Sequence, residues 1–314
     1  MDAILLCGPT ASGKSDWALA LAERWPVEII SVDSSQVYRG FDIGSAKPSP
    51  ALRARVPHHL LDLREPHESY SAGDFVVDAL AAVDAVRGRG ALPVLVGGTM
   101  LYFNALVRGL APLPPADPQL RAAIDARAAR LGWPALHAEL QTIDPEAAER
   151  IHPNDPQRIQ RALEVFESSG RTISDWQRDT RPSHALNWSR WALVPQDRGV
   201  LHARIAARYA QMLEAGLLDE VRQLLARPDV DAHSPSMRAV GYRQLAAHLG
   251  GACSLAAAVE QAVAATRQLA KRQLTWINAD PLWHRVDPFQ PGARAAWMAA
   301  LQTDIQSILG APQR

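Results

Sequence analysis

Gly8, Gly13, Lys14 and Ser15 stand at the spacing G-x-x-x-x-G-K-S/T, between the apolar run AILLC (3–7) and the helical pattern DWALALAERW. A glycine-rich turn between a strand and a helix is the setting in which backbone amides can cradle phosphate. The glycines let N–H groups turn onto anionic oxygens, and the following helix adds its positive end. Lys14 supplies a full charge and Ser15 a hydroxyl able to ligate Mg²⁺. The bland alternative is an incidental glycine-rich turn.

A nucleotide triphosphatase pairs such a loop with an apolar strand that ends in a Mg²⁺-binding acid. The best candidate strand here, LPVLVGGT, ends instead in Gly97-Gly98-Thr99, which offers backbone amides and a hydroxyl. The nearest acid at a strand end is Asp33, in IISVDSSQVY. Asp33 can bind Mg²⁺ through water, accept a proton, or merely cap a turn with Ser34 or Ser35.

The elements that must position these groups read as α/β. Short apolar runs at 3–7, 27–32, 59–63, 93–97 and 191–195 are expected strands, several buried on both faces. Helical patterns lie between them; one opens on the Ser71…Asp74 spacing of a capping box and ends at Gly88 or Gly90. This alternation predicts a doubly wound parallel sheet, whose ligands collect at the carboxyl ends of the strands. Asp33, the cradle and Thr99 are therefore expected in one crevice.

The alternation stops after Gly109. The turn LAPLPPADP leads into some eighty residues of helical periodicity, in which Asp117-Pro118, Asp144-Pro145 and Asp155-Pro156 each set an N-cap before a first-turn proline. The last of these helices is expected to stop at Gly170. The reading is a P-loop core in two parts, 1–112 and 191–314, with an all-helical insertion at 113–190. Long helices are expected at about 198–215, 217–227 and 254–277, with a loop and a helix start in RPDVDAHSPSMRAVGYRQ.

The 314 residues suit one large domain with an insertion, or two domains. With 33 basic and 33 acidic side chains, net charge excludes no class of partner. Only Cys7 and Cys253 occur, so neither a disulfide framework nor a zinc cluster is indicated, and a reducing cytoplasm fits. The N-terminus lacks a signal-peptide pattern and no run approaches a membrane span, so a cytoplasmic protein without membrane association is expected.

Six blocks in order, GPTASGKS, SVDSSQVYRGFDIGSAKP, VGGTMLYFNAL, IHPNDPQRIQRALEV, RAVGYRQL and TRQLAKRQLTWI, resemble the bacterial tRNA isopentenyltransferase family, the tRNA dimethylallyltransferases. The resemblance implies transfer of the dimethylallyl group of dimethylallyl diphosphate to N6 of adenine 37, beside the anticodon of tRNAs that read U-starting codons, with release of pyrophosphate. It implies Mg²⁺ as cofactor, with Ser15 at the metal. It implies diphosphate contacts from Gly8, Thr10, Ala11, Ser12, Gly13, Lys14, Ser15 and Arg208, and catalytic roles for Lys14, Thr99 and Asp33. Asp33 would take the proton of the attacking amine.

For the tRNA anticodon stem-loop, the resemblance implies contacts from Asp33, Ser34, Ser35, Gln36, Thr99 and Arg121. It adds the strip Gln157, Arg158, Ile159, Gln160 and Arg161. Two further strips carry basic residues without an acid: Arg238, Gly241, Tyr242 and Arg243, and then Arg267, Lys271, Arg272, Gln273 and Trp276. A solvated helix face is the plain reading of such charge runs. A monomer is expected.

Trp17, Trp25 and Trp133 sit at helix-face spacing and read as core, and His58-His59 as structural because neighbours on a strand face opposite ways. Cys7 reads as buried and inert. Three rivals remain. An adenylate isopentenyltransferase would need neither the insertion nor RQLAKRQLTW, and a Cys/His finger found in many eukaryotic tRNA relatives is missing here. A small-molecule kinase would use the cradle for ATP and the insertion as a lid. An RNA-binding module with a vestigial cradle would not need Lys14, Ser15, Asp33 and Thr99 intact.

Overall fold

The computed structural model describes residues 1–182 and 184–310. It divides into two compact units, Met1–Phe103 with Leu186–Arg314, and Asn104–Ala185.

The first unit is built on a six-stranded sheet: β1 (Ala3–Cys7), β2 (Val27–Val32), β3 (His58–His59), β4 (Leu92–Gly97), β5 (Trp188–Leu193) and β6 (His284–Val286). The order is β3-β2-β4-β1-β5-β6, with every pairing parallel. Every residue of β1, β2 and β4 is buried, which is why these strands are near-continuous apolar runs, broken only by Glu28 and Ser31 of β2, rather than alternating ones. The helices are α1 (Lys14–Ala22), α2 (Pro50–Arg55), α3 (Ala72–Gly88), α4 (Met100–Arg108), α5 (Pro118–Leu131), α6 (Trp133–Ile143) and α7 (Pro145–Arg150). They continue as α8 (Pro156–Ser169), α9 (Ile173–Arg178), α10 (Arg198–Glu214), α11 (Leu217–Leu225), α12 (Tyr242–Leu249), α13 (Leu255–Ala279) and α14 (Ala293–Gly310). None of the described helices is long and apolar enough to cross a membrane.

On one sheet face Ile4, Leu6, Val27, Ile29, Val94 and Val96 pack with α1 and α14, and Trp17 and Trp297 meet with ring centroids 5.1 Å apart. The α10–α13 group closes over a second core containing Phe41, Tyr209, Val221, Met237 and Tyr242. Ser71 and Asp74 form the capping box expected for α3.

Three strand expectations need correction. The run 59–63 is strand only at His58–His59, because Leu60 and Asp62 adopt left-handed backbone at φ 61° and 57°. Asp62 is held there by Lys47 Nζ at 2.6 Å and Arg53 Nη1 at 2.7 Å, so an apolar spacing mimicked an extended run. The strand expected at 191–195 lies at 188–193, in register with β1 from Ala3↔Trp188 to Cys7↔Ala192. β6 was not expected, since His284 and Arg285 are exposed and carry no apolar signal.

The second unit is a helical bundle, α5 to α9, around Ile124, Leu136, Leu140, Ile159 and Leu163. Asp117, Asp144 and Asp155 each accept amide hydrogen bonds at their helix starts with Pro next in sequence. Gly170 ends α8 with φ 69°. The unit spans 104–185, against the 113–190 expected for the insertion.

Candidate active site

The link from β1 to α1 is a tight loop. Gly13 takes φ 91° at the N-cap, and Ala11, a non-glycine residue, takes φ 63°. A Cβ on Gly8 would lie 2.8 Å from Leu193 O, so only glycine lets β1 turn this closely. Arg204 Nε donates to Ala11 O at 2.8 Å, fixing the strained residue. Lys14 folds its side chain back so that Nζ donates to Pro9 O at 2.8 Å. Ser12 Oγ is buried without a partner among the described residues, and Ser15 is exposed at the first turn of α1.

Burial, and then repulsion from Arg208, pushes the Lys14 ammonium down to about 8, while the Asp33 charge opposes the change. Burial also holds Arg208 below its ordinary value, again with Asp33 opposing. Two half-buried cations thus feel one carboxylate, and a polyanion would relieve that imbalance. Cys7, beneath the loop, has its thiol pushed up by burial and is inert.

Asp33 follows β2. Its Oδ1 accepts the amides of Ser35 at 2.8 Å and Gln36 at 3.3 Å, so the turn-capping role is real. Oδ2 accepts no protein hydrogen bond among the described residues, leaving this oxygen for other chemistry. Thr99 follows β4, and its Oγ1 accepts the amide of Ser34 at 3.0 Å. The close approach of β4 to β2 requires Gly97, whose Cβ would lie 1.9 Å from Val32 O. Gln36 turns inward: its Oε1 accepts from Ser31 Oγ at 2.8 Å and its Nε2 donates to Ser45 O at 3.2 Å. Cradle, Asp33 and Thr99 therefore stand at the carboxyl ends of β1, β2 and β4, three adjacent strands.

On α13, Arg267, Lys271, Arg272 and Trp276 are exposed, as are Arg238 and Arg243 before and within α12. Gln273 is not: its Oε1 accepts the Thr10 amide at 3.0 Å and its Nε2 donates to Gly98 O at 2.8 Å. Gly241 is buried, with its N–H donating to Gln244 Oε1 at 2.9 Å. Tyr242 is a core residue, its hydroxyl donating to Glu220 at 2.6 Å and its ring 4.2 Å from that of Phe41. Glu220 also accepts the amides of Asp42, Ile43 and Gly44, at 3.2, 2.7 and 3.1 Å.

In the helical unit, Gln157 and Arg158 are exposed, whereas Ile159 is wholly buried. Ile159 and Tyr242, of which RNA contacts are expected, both have their side chains in cores. Gln160 donates to Asp125 at 2.7 Å. Arg121 makes a bidentate pair with Glu164 at 2.9 and 3.1 Å, and Arg161 donates to the same carboxylate at 2.7 Å. Burial pushes that carboxyl up, but hydrogen bonds from Arg121, Arg161 and the Asp117 amide carry it below the usual range.

Trp17 is core, and Trp25 and Trp133 pack partly buried against the two cores. His58 bonds to Val56 O, and His59 to Glu28. No group of three or more His, Cys, Asp or Glu suited to a metal occurs among the described residues. A cation here would take most of its ligands from a bound diphosphate and water, with Ser15 Oγ as the protein ligand, which is a Mg²⁺-like oxygen set.

Sequence reasoning missed Arg204, Glu220 and Glu164. Arg204 was legible, since it precedes Arg208 by one helical turn on α10. Glu220 and Glu164 act on groups distant in sequence, and nothing local marks them.

A family model described as IPP transferase matches residues 36–280. The chain is 59% identical over 284 residues to a tRNA dimethylallyltransferase of Bordetella petrii, covering 88% of this chain and 90% of that protein. Its fold matches the crystal structure of the tRNA isopentenylpyrophosphate transferase of Bacillus halodurans with a TM-score of 0.70 at 35% identity, covering 99% and 98% of the two chains. A eukaryotic dimethylallyltransferase caught acting on tRNA matches with a TM-score of 0.78 at 25% identity, over 99% of this chain and 80% of that one. With a phosphate-type loop on a parallel sheet, a helical unit, and likeness along nearly its full length, the chain belongs to the IPP transferase family.

Proposed function

We propose that this protein transfers the dimethylallyl group of dimethylallyl diphosphate to N6 of adenine 37 in tRNAs that read U-starting codons. One observation carries the reading: the half-buried cations Lys14 and Arg208 both feel the charge of Asp33, whose turn Thr99 Oγ1 ties to β4, the strand beside the one that leads into the Lys14 loop. The cations suit a leaving diphosphate, and the carboxylate suits an amine that must lose a proton.

The chemistry follows from these charges. As N6 attacks the allylic carbon, a C–N bond forms, the C–O bond breaks, and the electron pair leaves on pyrophosphate. Lys14, Arg208 and the amides of residues 8–15 oppose that charge from fixed positions, which is commonly the largest catalytic term. The attacking amine becomes acidic, and Asp33 Oδ2 takes its proton. Because Oδ1 is anchored by two amides, the carboxylate needs no reorientation. Thr99 Oγ1 holds the Ser34 amide, fixing the Asp33 turn beside the cradle. Ser15, and Asp33 through water, would hold a Mg²⁺ ion, which when bound would supply further neutralisation of the diphosphate.

Arg121, Arg158, Arg161, Arg238, Arg243, Lys271, Arg272 and Trp276 are the proposed tRNA contacts, and the helical unit takes part in gripping the anticodon stem-loop. A substrate of this kind implies work in the cytoplasm, and the protein is taken to act as a monomer. The test is direct. The protein is incubated with unmodified tRNA and labelled dimethylallyl diphosphate, and digestion yields N6-dimethylallyladenosine. A kinase would instead show thermal stabilisation by ATP rather than by dimethylallyl diphosphate with Mg²⁺.

A further inference from the structure

α13 reaches the phosphate-type loop through one side chain. Gln273 is 7% exposed, and both ends of its amide are used: Oε1 accepts from Thr10 N at 3.0 Å and Nε2 donates to Gly98 O at 2.8 Å. Thr10 belongs to the loop after β1 and Gly98 to the loop after β4. These strands are neighbours, with Cys7 opposite Gly97. A single planar, rigid group therefore bridges the two loops just beyond the sheet edge.

Gly98 bears the imprint of this bridge. It has no left-handed backbone that would call for glycine. A Cβ there would lie 2.4 Å from Gln273 Nε2, while the nearest other group, Gly8 O, would be at an ordinary 3.5 Å. The size limit at Gly98 is set by Gln273.

We propose that Gln273 is a positioning residue for the reaction, not an RNA contact: it fixes the gap between the diphosphate cradle and the loop carrying Thr99. This rests on the functional reading above. A buried amide already committed at both ends is better placed to hold the loops than to read a nucleotide, and losing either bond frees a loop that must stay in place as the leaving group departs. The neighbours of Gln273 on α13, Lys271, Arg272 and Trp276, face outward, so one helix carries RNA-facing charge and cradle support on different faces.

Two substitutions separate the alternatives. Gln273→Met keeps the reach and removes both hydrogen bonds. Gln273→Glu keeps an acceptor for Thr10 and sets a second oxygen against Gly98 O. Each is measured for the Kd of Mg²⁺–pyrophosphate by calorimetry, the Kd of an unmodified anticodon stem-loop RNA, and kcat and KM for dimethylallyl diphosphate. The expected result is a loss of about tenfold or more in pyrophosphate affinity, with a matching rise in KM and RNA affinity within about twofold. Weakened RNA binding with unchanged pyrophosphate affinity would overturn the proposal, as would no change in either.

A cycle of Gly98→Ala, Gln273→Ala and the double variant, read in thermal unfolding, tests the bridge without reference to activity. Gly98→Ala should destabilise the parent protein clearly more than the Gln273→Ala variant, because the shorter side chain removes the collision. Strict additivity would overturn the proposal. If the unmutated protein binds no pyrophosphate, the functional reading fails, and this cycle still decides the bridge.

Discussion

Thr99 Oγ1 accepts the backbone N–H of Ser34 at 3.0 Å, tying the end of β4 to the turn that presents Asp33. The hydroxyl thus acts on the carboxylate through the backbone. Thr99→Ala should lower kcat/KM by about 10- to 100-fold, the cost of one lost hydrogen bond at a site that must stay ordered, and Thr99→Ser should recover most of it. Steady-state kinetics on both variants check this.

Asp33→Asn leaves an oxygen to cap the turn while removing the base. Turnover should fall by about 10²- to 10⁴-fold with tRNA affinity changed by no more than about threefold. Single-turnover rates alongside RNA binding give the comparison, and near-normal turnover would rule out the proton-acceptor role.

Burial pushes the Lys14 ammonium down from 10.5 to about 8. A bound diphosphate favours the charged ammonium, so above that pH binding takes up a proton and affinity falls, by up to about tenfold per pH unit. Calorimetry with pyrophosphate should show this decline in the parent and not in Lys14→Met, whose binding is weak throughout. Stability runs the other way: between about 8 and 10.5 the unfolded chain holds more protons, so the unliganded protein gains stability as pH rises through that window.

Glu164 is fully buried and carries Arg121, Arg161 and the Asp117 amide on one carboxylate. Removing it as Glu164→Ala leaves the Asp117 amide without its partner and sends the part-exposed Arg121 to solvent, while Arg161 keeps Pro114 O, and should cost about 1–3 kcal/mol of stability. Tryptophan fluorescence during denaturant unfolding measures the loss. Under the proposed role of Arg121 and Arg161, tRNA affinity should fall with it.

Lys271 and Arg272 project from α13 into solvent. If they meet RNA phosphates, replacing either by Ala should weaken binding to all cognate stem-loops alike and reduce the slope of log Kd against log salt by about 1. An unchanged slope would make them a solvated face.

The parts legible in the sequence are those whose physics is local. Gly8 to Ser15 declare the cradle because one turn sets their spacing, and Asp117, Asp144 and Asp155 declare helix starts because a cap acts within three residues. Register failed where a distant partner decides: Asp62 takes a left-handed turn to reach Lys47 and Arg53, and β6 exists because β5 offers it an edge. α14 shows a signal that went unread, with Trp297, Leu301, Ile305 and Ile308 at helical spacing on the core face. Family likeness pointed to Tyr242 and Gln273 as RNA contacts, and only the fold shows their side chains turned inward.

The central claim is that the loop after β1 holds the diphosphate of an isoprenoid donor beside Asp33. The most direct measurement is a crystal structure of the protein with Mg²⁺ and an unreactive thio-analogue of dimethylallyl diphosphate. It should show the diphosphate against the amides of residues 8–15, with Lys14 and Arg208 on its oxygens and the allylic carbon facing Asp33. Density for the analogue elsewhere, or its displacement from that loop by adenosine triphosphate, would contradict the account.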